Sequence, residues 1–292
     1  VTHTAAAEAV LGWYAENGRD LAFRHTADPW AILVSEVMAQ QTQAERAAEA
    51  WIRFMARFPT PASLASASPA DAIREWRGLG YNRRAIALRR AAIAIVDGHG
   101  GRVPDTLEAL VALPGVGPYT ARAVLAIAFG RPVAALDVNI RRVLGRAFLP
   151  PAIAPRDLQP AADALVPPQR AAEWTHALMD IGAAFCRPRE PRCDSCPLRE
   201  TCRYARSGGA VRGAAAGPAR AAATRRPAAR FESTTRWLRG RILDRLRDAD
   251  GWVTFDGAIG THDGAAVRES VATLAAEGMI ELVDDRARLG IE

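Results

Sequence analysis

The sequence predicts an all-α domain over residues 1–203, followed by a small α+β module of winged-helix pattern over residues 231–292. Three observations carry that reading. Apolar residues recur at helical spacing through the first two thirds of the chain, with almost no two-residue alternation. The segment VRESVATLAAEGMIELVDD reads as a helix, a stop at Gly278 and a strand. Between the two parts, residues 204–230 are rich in Ala, Gly and Pro and hold six arginines and no acid, the composition of a linker.

The elements follow in order. Asp28-Pro29 is a good N-cap and first-turn pair, and the stretch from Pro29 to Phe58 reads as two helices or one long one, closed by Pro59-Thr60-Pro61. DAIREW and RRAIALRRAAIAIVDG form a second pair across the turn Gly78-Leu79-Gly80, ended by His99-Gly100-Gly101. LEALVAL, YTARAVLAIAFG and NIRRVLGRAF supply three further helices. In the C-terminal part, WLRGRILDRLRDA is an amphipathic helix, and RARLGI is short enough to pair with MIELV as a wing. The module reads alternatively as a plain helical cap on the main domain.

Composition narrows the chemistry. With 49% hydrophobic and 24% charged residues over 292 positions, the chain has the makeup of a soluble globular protein. No run of about 18 uncharged apolar residues occurs, so no transmembrane helix is expected. The N-terminal stretch lacks the basic and apolar regions of a signal peptide, and the expected compartment is the cytoplasm. All 38 basic residues are arginine. A lysine Schiff base is therefore excluded from any mechanism. The net charge of +6 resides in residues 204–230, since outside them 32 arginines and 32 acids cancel. Such a stretch reads as a solvated tether or as a track for nucleic acid.

Two clusters carry chemistry. Cys186, Cys193, Cys196 and Cys202 are the chain's four cysteines, spaced C-x6-C-x2-C-x5-C. In a cytoplasmic chain this clustering favours metal over disulfides, and four thiolates suit either zinc or a [4Fe–4S] cluster. Gly115 and Gly117 flank Val116 in LPGVGPYT, where a tight turn before a helix would aim backbone N–H groups at a phosphate. Asp137 follows about twenty residues later and the cysteines about fifty after that.

This order of hairpin, aspartate and cysteines resembles the helix–hairpin–helix DNA glycosylases of the iron–sulfur branch. SEVMAQQTQ, GLGY, LPGVGPYT and LDVNIRRVL are similar to the MutY-type adenine glycosylases, over residues 8–203 or so. The resemblance implies a [4Fe–4S] cluster on the four cysteines, double-stranded DNA with a mispaired or damaged base as partner, and a monomer. It places Glu36 as the general acid that protonates the leaving purine. Asp137 becomes the carboxylate beneath the oxocarbenium-like sugar, by the two-carboxylate logic of glycoside hydrolysis. Glu36 sits among Ile32, Leu33, Val34, Val37 and Met38, where desolvation favours a held proton; without the resemblance it reads as a surface glutamate. Asp137 reads alternatively as a helix N-cap. Tyr119 and Asn139 match residues near the reacting base and sugar. Gln40 and Gln41 match residues that probe the duplex, and Tyr81 matches an aromatic wedge. Gly115, Val116 and Gly117 complete the DNA contacts.

In the lyase branch of the superfamily a lysine stands where this chain has Tyr119, so the resemblance implies a monofunctional enzyme that leaves an abasic site. It implies adenine opposite 8-oxoguanine or guanine as target. The alternatives are the same chemistry on mismatched thymine or uracil or a damaged purine, or a catalytically silent lesion-binding protein. Several positions depart from the family pattern: Leu21-Ala22-Phe23 with Arg24 after it, Ala39 before the glutamine pair, and Asn82-Arg83-Arg84 after Tyr81. Residues 231–292 are also too short for the Nudix-like domain with which typical members end, so this module is expected to add DNA or protein contacts of its own.

Overall fold

The structure is a computed structural model that describes residues 3–208 and 230–290. In chain order its helices are α1 (His3–Asn17), α2 (Pro29–Ala39), α3 (Ala44–Arg57), α4 (Pro61–Ala65), α5 (Pro69–Glu75), α6 (Arg83–His99), α7 (Leu107–Ala112), α8 (Pro118–Ala128), α9 (Val138–Ala147), α10 (Pro155–Asp163), α11 (Ala171–Ala184) and α12 (Arg203–Arg206). The C-terminal module runs α13 (Thr235–Arg247), β1 (Val253–Thr254), α14 (Gly264–Ala276), β2 (Ile280–Val283) and β3 (Arg286–Leu289). The fold is thus all-α with a small α+β module, as the periodicities imply. Most of the linker, residues 209–229, lies outside the described residues. Among the described residues no helix is long and apolar enough to cross a membrane.

The chain forms two compact units whose boundaries cut across the sequence order. One draws on Val1–Leu33, Asp105–Val111 and Val116–Ala221; the other on Val34–Pro104, Ala112–Gly115 and Ala222–Glu292.

In the first unit, α1, α8, α9, α10 and α11 close around Val10, Ile140, Leu144, Trp174, Leu178 and Ile181. A densely charged point in its interior is Asp180, 3% exposed. Its carboxylate accepts from the Arg19 backbone N–H (3.0 Å) and Nε (2.7 Å) and from both terminal nitrogens of Arg24 (2.8 and 2.9 Å). Burial alone would push the Asp180 carboxyl up, yet the Arg24 and Arg19 hydrogen bonds bring it below its ordinary range. The departure at Arg24 thus has a structural task. One turn earlier on α11, burial pushes His176 down to about 3, with Arg24 adding to the effect, so the imidazole is neutral.

The helix α2, whose first turns belong to the first unit and whose end belongs to the second, starts where Asp28-Pro29 predicts: Asp28 Oδ1 accepts from Trp30 N at 3.1 Å. A break at residues 40–43 separates α2 from α3, which resolves the one-or-two-helix question. The helix α4, which sequence patterning leaves unassigned, is set by a Thr60–Ser63 capping box and Pro61 in the first turn. The module's sheet has the order β1-β3-β2, all antiparallel. The wing pairing is as read, with Ile280 opposite Leu289 and Leu282 opposite Ala287; the short strand β1 is an addition. Gly278, at φ +74°, stops α14. Leu238, Ile242, Leu243, Val271 and Leu274 form the module's core together with Ala70, Ile73 and Ile86 of α5 and α6. The sheet sets aside the plain helical cap: the module has the winged pattern, and a continuous core joins it to the helices beside it.

Candidate active site

Glu36 belongs to the second unit, in the third turn of α2. Every residue from Trp30 to Met38 is buried, Glu36 among them at 8% exposure. The surface-glutamate alternative is thereby set aside.

Beyond α2 the chain turns through Gln40 and Gln41, the latter at φ +55°. These two line a cleft of about 250 Å³ together with Val37, Tyr81, Arg83, Arg84, Pro114 and Gly115. Four of the residues matched to DNA contact thus share one concave wall. Arg84 organises it. Its guanidinium donates to the carbonyls of Val37 (2.9 Å), Met38 (3.0 Å) and Gln40 (2.5 Å) at the end of α2, and to Leu79 (3.1 Å) and Gly80 (3.0 Å) of the opposite turn. Burial pulls Arg84 down to about 10, which leaves it cationic at neutral pH. A cation at a helix C-terminus also answers the helix dipole. Sequence reading registers Arg84 only as part of a departure from pattern; nothing in its spacing announces five carbonyl partners.

The hairpin glycines differ in kind. Gly115 sits at φ +79°, and a Cβ there would lie 2.8 Å from the Ala87 Cβ. Gly117 has extended backbone (φ −90°) and open space where a Cβ would be, so it caps α8 without needing to be glycine for its conformation. This corrects the expectation that both glycines serve the turn. Val116 is 5% exposed, which leaves its backbone as the part able to meet a phosphate.

In the first unit, Asp137 is the N-cap of α9. Oδ1 accepts from the backbone N–H of Asn139 (2.9 Å) and Ile140 (2.6 Å), and Oδ2 accepts from Asn139 Nδ2 (3.1 Å). The capping alternative is thus present in the structure. Asn139 Oδ1 accepts in turn from Arg142 (2.7 Å), whose guanidinium also donates to the carbonyls of Gly182 (2.8 Å) and Cys186. Arg142 ties Asp137 to the cysteine loop, a link that no sequence motif discloses. Gly182 permits it: a Cβ there would lie 2.6 Å from the Asn139 Cβ. Tyr119 stands half-buried in the first turn of α8.

Cys186, Cys193, Cys196 and Cys202 line a single cavity walled by Val143, Ala147, Ile181, Phe185 and Leu198. Burial pushes the Cys196 thiol up to about 11, and the three other thiols add to this. Thiolates gathered in an apolar wall need a cationic centre to become charged. Among the described residues no group of three or more His, Cys, Asp or Glu is arranged to hold a metal ion, so the side chains as placed do not enclose a single ion. The four cysteines nonetheless line one cavity, and their sulfurs are the donors that would hold a thiolate-bound metal group there. Arg146, which the sequence reading passes over, lies 3.5 Å from the Cys186 sulfur and donates to the Arg187 (2.7 Å) and Pro188 (3.2 Å) carbonyls, shaping the loop.

Comparison with known proteins agrees with this geometry. The HhH-GPD superfamily of base excision DNA repair proteins matches residues 34–168. The chain is 43% identical over 251 residues to an adenine DNA glycosylase of Mycobacterium tuberculosis, covering 84% of this chain and 79% of that one. It is 38% identical over 282 residues to an adenine DNA glycosylase of Mycolicibacterium smegmatis, covering 94% and 92%. Among solved structures, a thermostable thymine-DNA glycosylase superposes with a TM-score of 0.65 at 30% identity, over 70% of this chain and 97% of that one. The fold and these relatives together define a DNA N-glycosylase of the helix–hairpin–helix class. Within that class, the chain belongs to the adenine DNA glycosylase family.

Proposed function

We propose that the protein hydrolyses the N-glycosidic bond of adenine mispaired with 8-oxoguanine or guanine, and leaves an intact abasic strand. The carrying observation is the contrast between its two carboxyl environments. Glu36 is buried on α2, where it serves as the general acid that protonates the leaving purine. Asp137 is held by two backbone N–H groups and Asn139, ready to stabilise positive charge on the sugar. Tyr119 and Asn139 line the reacting base and sugar. Gln40, Gln41, Tyr81 and the backbone of residues 115–117 hold the duplex and the flipped base. The absence of lysine supports hydrolysis without a lyase step.

The four cysteines hold a [4Fe–4S] cluster in this reading, bound on the shared cavity of their thiols. The working form is a monomer in the cytoplasm. The likeness to a thymine-DNA glycosylase structure, with Ala39 and Asn82 departing from pattern beside the cleft, favours mismatched thymine or uracil as the second reading.

The test is incubation with duplexes carrying A opposite 8-oxoguanine, A opposite G, T opposite G and U opposite G, followed by hot alkali. Scission at adenine only after alkali supports the first reading. Scission at thymine or uracil replaces it with the second, and scission without alkali removes the monofunctional assignment.

A further inference from the structure

The turn that carries Tyr81 is conformationally costly. Gly78, Gly80 and Tyr81 have φ of +86°, +66° and +46°. Glycine tolerates the left-handed region; a tyrosine there needs support from its surroundings. Tyr81 is nevertheless 40% exposed, so core packing does not supply all of it. Arg84 lies 5.8 Å from the ring centre, and closer support comes from the C-terminal module. The Arg236 guanidinium lies 4.1 Å from the centre of the Tyr81 ring and donates to its hydroxyl at 2.9 Å. Three turns along the same helix, and hence on the same face, Arg247 donates to Asn82 Oδ1 at 2.7 Å and to the Ile73 carbonyl at 3.1 Å. One face of α13 therefore grips two successive residues of the turn. A groove of about 610 Å³ runs along this contact, lined by Arg46, Arg83, Arg236, Arg239 and Arg241 beside Tyr81.

We infer that Arg236 is a positioning residue that presents Tyr81 for insertion into the duplex, and that α13 thereby makes the C-terminal module part of the apparatus that probes DNA. The inference rests on Tyr81 acting as the wedge. An exposed aromatic that inserts between bases gives up rotamer freedom on binding; holding the ring beforehand reduces that loss. A guanidinium on the ring face adds a cation–π contact that survives in a half-exposed setting. The arginine-lined groove beside it matches the phosphates of the strand that the ring enters. Asn82, where the family pattern has an aromatic, gives Arg247 its acceptor and so belongs to the same device.

The test uses the full chain and a duplex with a tetrahydrofuran abasic site opposite 8-oxoguanine, with 2-aminopurine next to the oxidised base. This duplex has no base to release, so the outcome does not depend on which base the enzyme excises. Arg236→Ala is expected to weaken binding about tenfold and to remove most of the 2-aminopurine fluorescence rise that insertion causes. Arg236→Lys, which keeps the cation, is expected to recover part of both. In a Tyr81→Ala background, Arg236→Ala is expected to cost less than about twofold, because the partner is gone. Equal losses in the two backgrounds would make Arg236 an independent phosphate contact and overturn the inference. So would unchanged binding and fluorescence in Arg236→Ala. Arg236 is itself exposed, and thermal melts of each variant separate these outcomes from loss of fold.

Discussion

At the scale of single residues, the chain assigns opposite environments to two carboxyl groups that are indistinguishable by type. Glu36 is buried on α2, while Asp137 caps the start of α9 with both carboxylate oxygens engaged. Glu36→Gln keeps the shape and removes the proton donor. It is expected to reduce single-turnover adenine release by at least about 10²-fold, the lower end of general acid–base effects. Gel-shift affinity for the same duplex should stay within about threefold. Comparable losses of binding and release would make Glu36 a structural residue. Asp137→Ala has a second consequence, because it deletes a cap as well as a charge. Urea unfolding should show about 0.5–2 kcal/mol of lost stability beside the loss of release. The burial of Glu36 was legible only through the family resemblance, since by its neighbours in AILVSEVMA alone it reads as a surface glutamate. The grip on Asp137 was legible only as a capping pattern. The Arg142 link to Gly182 and Cys186 was not legible at all, since it joins residues 40 and more positions apart and depends on how α9 packs on α11.

At the scale of elements, α11 shows how one helix meets two demands. Its Gly182 lets Asn139 approach, and its His176 and Asp180 sit in the interior beside Arg24. Alanine at position 182 would gain roughly 0.5–1 kcal/mol of helix propensity. Against this stands a Cβ only 2.6 Å from the Asn139 Cβ and 3.2 Å from its Cα, an overpacking that typically costs about 1–3 kcal/mol. The clash outweighs the propensity, so Gly182→Ala should lower the unfolding midpoint and slow base release through displacement of Asn139. A rise in stability would show that α9 and α11 are free to separate. The same helix gives the fold an acid limit. His176 has its pKa lowered from 6.5 to about 3, so the stability it contributes is complete above pH 6.5 and is lost as pH falls toward 3. Asp180, also lowered, adds loss in the same direction. Between pH 6.5 and 5 the His176 contribution should fall by roughly 2 kcal/mol. His176→Gln should flatten that decline in urea titrations at the two pH values; an unchanged slope would mean that the imidazole reaches solvent in the fold. Helical periodicity located α2, α5, α6, α8 and α9, whose apolar stripes are dense. It left α1, α10 and α11 unassigned, and it passed over α4, a five-residue helix too short to show a period, which capping chemistry defines.

At the scale of the whole molecule, the basic stretch 204–230 suggests a tethered module, and the packing shows why residues 231–292 are more than a tethered appendage. Side chains of α5 and α6 complete the module's core, the Ala70 backbone N–H donates to the Gly290 carbonyl at 2.7 Å, and Arg247 donates to the Ile73 carbonyl at 3.1 Å. Linear order conceals this, because a hydrophobic face on α5 can be satisfied by any later apolar segment, and periodicity does not say which. The consequence is a stability coupling between the module and the helices that bear Tyr81 and Arg84. Ile242 and Leu246 of α13 are each at most 1% exposed; truncating either to alanine should cost about 2–5 kcal/mol. Because the core is continuous, the loss should appear as lower hydrogen-exchange protection in α5 and α6 as well as in α13 and α14. A chain ending at residue 230 would leave Ile73 and Ile86 without their partners, and it should bind mispaired duplex more weakly and aggregate on warming. If protection in α5 and α6 is instead untouched by Ile242→Ala, the module folds as a separate body, and the polar contacts that α13 makes to Tyr81 and Asn82 would then hold the probing turn without a shared core.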